Sequence, residues 1–304
     1  MEIVPKFYNG QVDCITSPDY IAIEFLSDYR LTDDTVFLSN DHIEMVLQKL
    51  GYFHGMNYVI KETDCRQFEM FRKQFVETRF KKFSFDRRRM LFEWYINAAM
   101  MRGFRYVPNL NRFSGKIIDM LQKKFQDPHN MCCDLIQPKN DIAVLCHGDF
   151  NRNNLMFKYT DNNKLKSLKI IDFQTVRYAS PATDLSLFLS MNVNYQLLEQ
   201  NFERFFKIYH NAIMQTIKKH SPKTDLRKYS LEAFLKDYAE HAIYGYHIIV
   251  FFMEIMDDPQ SDFTRDPEYM KCDTIEEMQT QMSKKYVYDE RGIYRLYNST
   301  SRFG

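Results

Sequence analysis

The sequence predicts an α+β protein in which helices predominate and strands are few and short. Apolar residues recur at helical spacing through most of 41–125 and 182–256, whereas strand-length apolar runs are confined to 6–25 and 142–172. At 304 residues, 45% of them hydrophobic, the chain can bury a sizeable core as one or two domains.

The elements follow from local patterns in chain order. Two strands, 6–8 and 20–25, surround a polar turn. Asp41 can cap a helix whose apolar residues recur every three or four positions. Pro128 and Pro138 bracket a loop. The predicted helices cover 41–53, 68–83, 87–101, 112–125, 182–191, 195–220, 225–244 and 246–256.

Three features that could suggest a binding site are predicted to be structural. His54 fits a packing histidine with satisfied nitrogens. The basic clusters 81–82 and 87–89 fit a solvated face. The alternative is a basic patch on the side where an acceptor substrate would bind. Four aromatics at helical spacing fit a buried helix face rather than a ligand box. They are Phe202, Phe205, Phe206 and Tyr209.

The densest chemistry lies in 141–189. An apolar run of strand length, 142–146, ends at His147 and Gly148, and Asp149 follows at once. Two further apolar runs flank a polar turn and predict a hairpin with Asn154 at one end and Asp172 at the other. Both polar side chains are therefore expected at the same edge of a sheet.

This set of residue types suits phosphoryl transfer, which depends on positioning and charge neutralisation. Mg²⁺ takes hard oxygen ligands, which Asp172 and the side-chain carbonyl of Asn154 can supply. Asp149 can accept the proton of an attacking hydroxyl. Loop aspartates and asparagines often only cap turns. The preceding strand, the following hairpin and the I-I-D-F sequence at its end favour the catalytic interpretation.

The spacing H-x-D-x-x-x-x-N is that of the protein-kinase catalytic loop, with Gly148 in place of its arginine. HGDFNRNNLMFKY and KIIDFQTVRYASPATDLSLFL resemble the ecdysteroid kinase-like (CHK, choline-kinase-like) family, within the aminoglycoside phosphotransferase and protein-kinase-like fold. The resemblance implies that Asp149 is the catalytic base and that Asn154 and Asp172 are metal ligands. It also implies that Asp184 is a buried brace hydrogen-bonded to the catalytic loop, and that His147 is structural.

The segment YIAIEFLSDYRL resembles the family's hinge strand. The resemblance implies that the backbone of Glu24, Phe25 and Leu26 meets the adenine edge of a nucleotide; a plain hairpin is the alternative. Kinase-like folds carry a phosphate-covering glycine loop and a strand lysine before the hinge, and this chain shows neither. We therefore expect 1–30 to be a remnant of the small lobe and hinge, and 31–304 to be the large helical lobe of a protein-kinase-like fold.

The expected function is ATP- and Mg²⁺-dependent phosphorylation of a hydroxyl on a small molecule, with an ecdysteroid or a xenobiotic metabolite as the acceptor that the family implies. The alternative is a truncated, catalytically inactive family member that acts as a binding or scaffold protein. Apolar surface left by a missing small lobe would favour self-association.

Composition excludes other classes of protein. The net charge is +1 and no basic stripe stands out, which argues against a nucleic-acid partner. The longest strongly apolar run, 248–253, is too short to span a membrane, and the first ten residues lack a signal core. Six cysteines without C-x-x-C spacing indicate reduced thiols, so we expect a cytoplasmic protein.

Overall fold

The computed structural model describes residues 3–12, 18–32, 37–80, 87–104, 115–257 and 266–285. It confirms an α+β fold in which helices predominate. The strands are β1 Phe7–Gln11, β2 Tyr20–Ile23, β3 Val144–Cys146, β4 Leu155–Tyr159, β5 Leu165–Ile170 and β6 Arg177–Ala179. The helices are α1 Asn40–Thr63, α2 Cys65–Arg72, α3 Arg87–Phe104, α4 Gly115–Lys124, α5 Pro128–Leu135, α6 Ala182–Asn192, α7 Tyr195–His220, α8 Leu231–His241, α9 Ile243–Asp257, α10 Pro267–Met270 and α11 Ile275–Lys285.

The described strands form three antiparallel pairs, β1 with β2, β3 with β6, and β4 with β5. In the last pair Leu155 lies opposite Ile170, which confirms the predicted hairpin. In the second pair Cys146 lies opposite Arg177. The β3–β6 pair was not predicted, because β6 has only three residues, which are too few to show the alternation of apolar and polar side chains that indicates a strand.

The core lies where α1 packs along α7 and α6 packs against α9. The four aromatics of α7 are all buried, which confirms that they are core residues. Gly245 lies within α9, although it was predicted as a break between two helices. A Cβ at Gly245 would lie 2.3 Å from the backbone oxygen of Ser186 in α6. Helices α6 and α9 can therefore pack this closely only because residue 245 is glycine.

Three local predictions were wrong. The first long helix begins at Asn40 with Ser39 as its N-cap, so Asp41 lies in the first turn instead of capping it. The helix predicted over 68–83 ends at Arg72, and the Glu77 carboxylate beyond it accepts the Arg79 and Phe80 N–H groups, which holds that segment in a turn.

The third wrong prediction concerns the segment between Pro128 and Pro138, which contains α5. The carboxylate of Asp127 accepts the N–H of Asn130 and caps this helix. Proline at the first helical position costs no hydrogen bond there. Pro128 therefore begins a helix where a loop was predicted.

The residues on either side of the β1–β2 hairpin are held to the β4–β5 sheet by polar contacts. The N–H of Ile170 donates to the Ile3 oxygen at 2.7 Å, and the buried Lys169 ammonium bonds the Val4 oxygen at 2.9 Å and the Glu24 carboxylate at 3.1 Å. The hairpin carries exposed apolar side chains; Ile21 is 70% exposed. The predicted domain boundary at residue 30 stays a prediction.

None of the helices within the described ranges combines the length and the apolar composition that a membrane crossing requires.

We expect Gly245→Ala to destabilise the protein by about 1–3 kcal/mol, because the added methyl group overpacks the α6–α9 contact. Gly115→Ala is the matched control, since a Cβ at this position of α4 meets nothing within 4 Å. The control should be neutral or stabilising by no more than about 1 kcal/mol. Urea unfolding measures both changes; equal effects would contradict the packing described here.

Candidate active site

The loop that follows β3 turns sharply at Gly148, whose φ is +86°. A Cβ there would lie 2.0 Å from the backbone oxygen of Thr175, and the Thr175 hydroxyl donates to the His147 oxygen at 3.2 Å. Only glycine tolerates both this φ and this close approach. The chain therefore leaves the buried strand and presents Asp149 on a loop packed against the segment before β6.

Asp184, in the first turn of α6, holds the start of this loop. Its two carboxylate oxygens accept the N–H of His147 at 2.6 Å and the N–H of Gly148 at 2.8 Å. One of these oxygens also lies 3.3 Å from Nε2 of His54, whose Nδ1 bonds the hydroxyl of Tyr209 at 2.7 Å. All four side chains, those of Asp184, His54, Tyr209 and His147, are buried, so their polar atoms depend on one another.

Burial alone would raise the pKa of the Asp184 carboxyl. The hydrogen bond and charge of His54, the nearby His147 and the N–H of Gly148 outweigh that effect and hold the pKa below its usual value. The carboxylate therefore stays ionised at neutral pH, which is the form that accepts hydrogen bonds at both oxygens.

His147 joins the loop to the segment that carries Asp172. Its Nε2–H donates to the backbone oxygen of Ile171 at 2.9 Å, because a carbonyl can only accept. Its Nδ1 accepts the N–H of Asp149 at 3.3 Å. The ring also packs 4.7 Å from the ring of Phe173, centroid to centroid. His147 thus spans the loop and the end of β5.

The amides of two asparagines orient the Asp149 carboxylate. Nδ2 of Asn151 donates to one carboxylate oxygen at 3.0 Å, and Nδ2 of Asn154 donates to the other at 3.2 Å and to the Asp149 backbone oxygen at 2.8 Å. Because the amide nitrogen of Asn154 is engaged in this way, its side-chain oxygen is left as the atom that can bind a cation. Asn151 was not predicted as a site residue; its place two residues after Asp149 is the only signal.

Asp172 lies at the other end of the β4–β5 hairpin, beside Asn154. The N–H of Ile171 donates to the Asn154 backbone oxygen at 3.0 Å, so the two predicted ligands lie at one edge of the sheet. Asp172 has a φ of +64°, which is uncommon for a residue other than glycine. Its carboxylate is exposed, and one oxygen accepts Nε2 of Gln174 at 3.0 Å.

A cavity of about 750 Å³ opens beside Asp172. Its walls come from the β1–β2 hairpin, α1, α2 and the segment after α2, and they are largely apolar, with Phe53, Phe71 and Phe75 among them. Asn57, Asp172 and Gln174 are its main polar groups. The sequence did not indicate this cavity, because its lining comes from separate elements without a common motif.

The residues of the predicted hinge follow β2. The N–H of Glu24 donates to the Lys6 oxygen at 2.8 Å, and the oxygen of Leu26 accepts the N–H of Tyr29 at 3.0 Å. Phe25 is 88% exposed. The backbone hydrogen bond from Lys6 and the contact with Lys169 lower the pKa of the Glu24 carboxyl. Among the described lining residues of the cavity, none of the predicted hinge residues appears.

Comparisons with known proteins agree with the motif-based resemblance. A profile of the ecdysteroid kinase-like family matches residues 2–222. A search of curated proteins gave no match.

Solved structures with similar architecture include an ethanolamine kinase of Plasmodium vivax, at 14% identity and TM-score 0.42 over 98% of this chain and 67% of that one. Others are a choline kinase of Cryptosporidium parvum, at 16% and 0.41 over 97% and 76%, and a putative aminoglycoside phosphotransferase of Ralstonia eutropha, at 12% and 0.38 over 97% and 78%. TM-scores of this size carry no conclusion by themselves.

We expect Asp184→Asn to destabilise the protein by about 3 kcal/mol, because it leaves buried donors without their charged acceptor. A carboxylate whose pKa is lowered by folding adds stability above its unfolded pKa of about 3.9. That contribution is lost as the pH falls through the lower folded pKa. The unmodified protein should therefore lose stability below about pH 4, and Asp184→Asn should lose less over the same range.

Urea unfolding between pH 3 and pH 7 tests this prediction. The control is Asp119→Asn, which changes an exposed aspartate of α4 and should keep the acid dependence of the unmodified protein. An unchanged acid dependence in Asp184→Asn would contradict the role given to this carboxylate.

Proposed function

The chain belongs to the ecdysteroid kinase-like family, and from that membership we propose that it transfers the γ-phosphoryl group of ATP to a hydroxyl of a small molecule. One observation carries the proposal. The Asn154 side chain bonds Asp149, while its backbone oxygen bonds the N–H preceding Asp172. A proton acceptor and two oxygen ligands are thereby held together by direct hydrogen bonds.

Asp149 acts on the acceptor in this proposal. The oxygen of the attacking hydroxyl forms a bond to the γ-phosphorus and gives its proton to the Asp149 carboxylate. The bond between that phosphorus and the oxygen bridging the β- and γ-phosphates breaks, and ADP leaves. The amides of Asn151 and Asn154 fix the carboxylate before the acceptor arrives. Positioning of this kind supplies much of the rate enhancement in phosphoryl transfer.

Asn154 and Asp172 fit a magnesium site by their donor chemistry. One offers a neutral amide oxygen and the other an exposed carboxylate, which together match the one or two protein ligands that Mg²⁺ keeps beside phosphate and water. The ion would neutralise charge on the transferred phosphate. Gln174, bonded to one Asp172 oxygen, restricts the orientation of the carboxylate.

The apolar cavity supports an apolar alcohol as the acceptor. Its walls are built mainly from aromatic and aliphatic side chains, and Asp172 lies at its border. A ligand buried there would gain roughly 25 cal/mol for each Å² of apolar surface removed from water. An ecdysteroid or an apolar xenobiotic alcohol has this chemistry. For the nucleotide, we propose that the free backbone groups of 24–26 meet the adenine edge.

We expect Asp149→Asn to abolish turnover and to leave Mg²⁺-dependent ATP binding nearly unchanged, because Asp149 acts on the acceptor hydroxyl. Asp172→Asn should instead weaken ATP binding in the presence of Mg²⁺, because it removes a charged ligand. Asp161→Asn, which changes an exposed residue in the turn between β4 and β5, is the control for both.

Calorimetric titration of ATP with and without Mg²⁺, together with ADP release against steroid and xenobiotic alcohols, measures these effects. Equal loss of ATP binding in both variants would show that the two roles are assigned wrongly. A protein that binds an apolar ligand but no nucleotide would favour a binding or scaffold function.

We also propose that the apolar face of the β1–β2 hairpin promotes self-association. Tyr8 is 61% exposed and Tyr20 45% exposed on this two-stranded sheet. Tyr8→Lys should reduce concentration-dependent association in sedimentation velocity. Met70→Lys, at an exposed apolar residue of α2, should not. A protein that stays monomeric over the accessible concentration range would contradict the proposal.

A further inference from the structure

A second, smaller cavity lies away from the candidate active site. It has a volume of about 80 Å³ and lies between the segment after α2 and the helices α3, α5 and α9. Phe80, Phe92 and Phe251 contribute to its walls. A water molecule occupies about 30 Å³ of liquid, so the cavity has room for two or three waters or for one small polyatomic ion.

Arg79 brings an uncompensated positive charge to this cavity. Its side chain is partly buried and lines the space, and its described contact is with the ring of Phe80, 5.7 Å from the guanidinium carbon to the ring centroid. Within the part of the chain that the structure describes, its guanidinium has no hydrogen bond and no ion pair. Because no carboxylate pairs with this guanidinium, an anion in the cavity would gain it as a charged partner.

The other charges around the cavity compensate one another. Arg89 pairs with Glu93 at 2.6 Å and donates to Nδ1 of His129 at 2.8 Å. The cluster 87–89 was predicted to be a solvated face. Arg87 is exposed, but the prediction is wrong for Arg89, which is partly buried against Glu93; residues 81–82 of that prediction lie outside the described ranges. The lining is left with one positive charge in excess, that of Arg79.

His247, in α9, supplies an unsatisfied polar atom. The residue is 6% exposed, it lines the cavity, and its buried Nδ1 has no hydrogen-bond partner in the described structure. Burial, followed by the nearby Arg79, His129 and Arg89, lowers the pKa of His247 to about 3, so the ring is neutral at physiological pH. A neutral imidazole still carries one N–H that can donate to an anion.

We propose that this cavity is a binding site for one small tetrahedral oxyanion, phosphate or sulfate. The guanidinium of Arg79 would supply charge and paired N–H donors, which match phosphate and sulfate oxygens, and the His247 ring would donate one further hydrogen bond. Water could satisfy His247 but would leave the charge of Arg79 uncompensated. The site is separate from Asp149, Asn154 and Asp172 and does not depend on the proposed kinase activity.

Titration with inorganic phosphate, sulfate and chloride at equal ionic strength, in EDTA, tests the site. We expect calorimetry to show saturable one-to-one binding of phosphate and sulfate, and Tm to rise with it. These ions also stabilise proteins generally by exclusion from the surface, so the decisive quantity is the difference between the unmodified protein and Arg79→Gln. Arg79→Gln should bind phosphate at least about tenfold more weakly.

Two further results distinguish a ligand site from a structural role. In chloride alone, Arg79→Gln should have a Tm equal to or above that of the unmodified protein, because it removes an unpaired charge. His247→Leu should also weaken phosphate binding. Arg66→Gln, which removes the charge of an exposed arginine on α2, should change neither quantity.

The proposal is overturned if the unmodified protein shows no saturable binding or if chloride acts equally. It is also overturned if Arg79→Gln retains full affinity for phosphate. Unfolding of Arg79→Gln in chloride would contradict it as well, since the guanidinium would then be required by the fold itself.

Discussion

Two backbone N–H groups at the end of β3, those of His147 and Gly148, point into the protein interior and have to be satisfied there. The Asp184 carboxylate accepts both of them, and it is kept ionised in a fully buried position by His54 and the loop itself. An asparagine amide at this position would have only one oxygen, so its NH2 group would face one of the two backbone N–H groups. The position of the whole loop therefore depends on one buried negative charge.

The rest of the site follows from that attachment. With the start of the loop fixed to α6, Gly148 turns the chain, and the ring of His147 connects it to the backbone beside Asp172. Asn154 closes the arrangement from the other side, through its side chain to Asp149 and through its backbone to Ile171. Because all of these contacts lie within residues 147–184, one segment of the chain brings the three chemical groups together.

Much of this site could be predicted from the sequence because it is local. Residues 142–172 form a strand, a loop and a hairpin whose order and spacing are visible in the chain, and α7 has an apolar face long enough to define its ends at Tyr195 and His220. The α5 helix was missed because eight residues give little periodicity, and its cap, Asp127, precedes a proline that also suits a loop. The end of α2 depends on hydrogen bonds to Glu77, which helical spacing does not show.

Features assembled across the chain could not be predicted. The large apolar cavity beside Asp172 and the smaller cavity lined by Arg79 and His247 are both formed by elements far apart in sequence. The inward orientation of Arg89 depends on Glu93 and His129, of which only the first is its neighbour on the same helix. His54 fits a packing histidine in the sequence, and only the fold shows that its second partner is the carboxylate that holds the loop.

An experimental structure with a non-hydrolysable ATP analogue and Mn²⁺ in place of Mg²⁺ tests the central claim most directly. The anomalous scattering of manganese locates the ion without reference to the surrounding residues. We expect one ion bound by the side-chain oxygen of Asn154 and the carboxylate of Asp172, with the terminal phosphate facing Asp149. A nucleotide and ion bound elsewhere, or an ion at this edge with the terminal phosphate turned away from Asp149, would contradict the account.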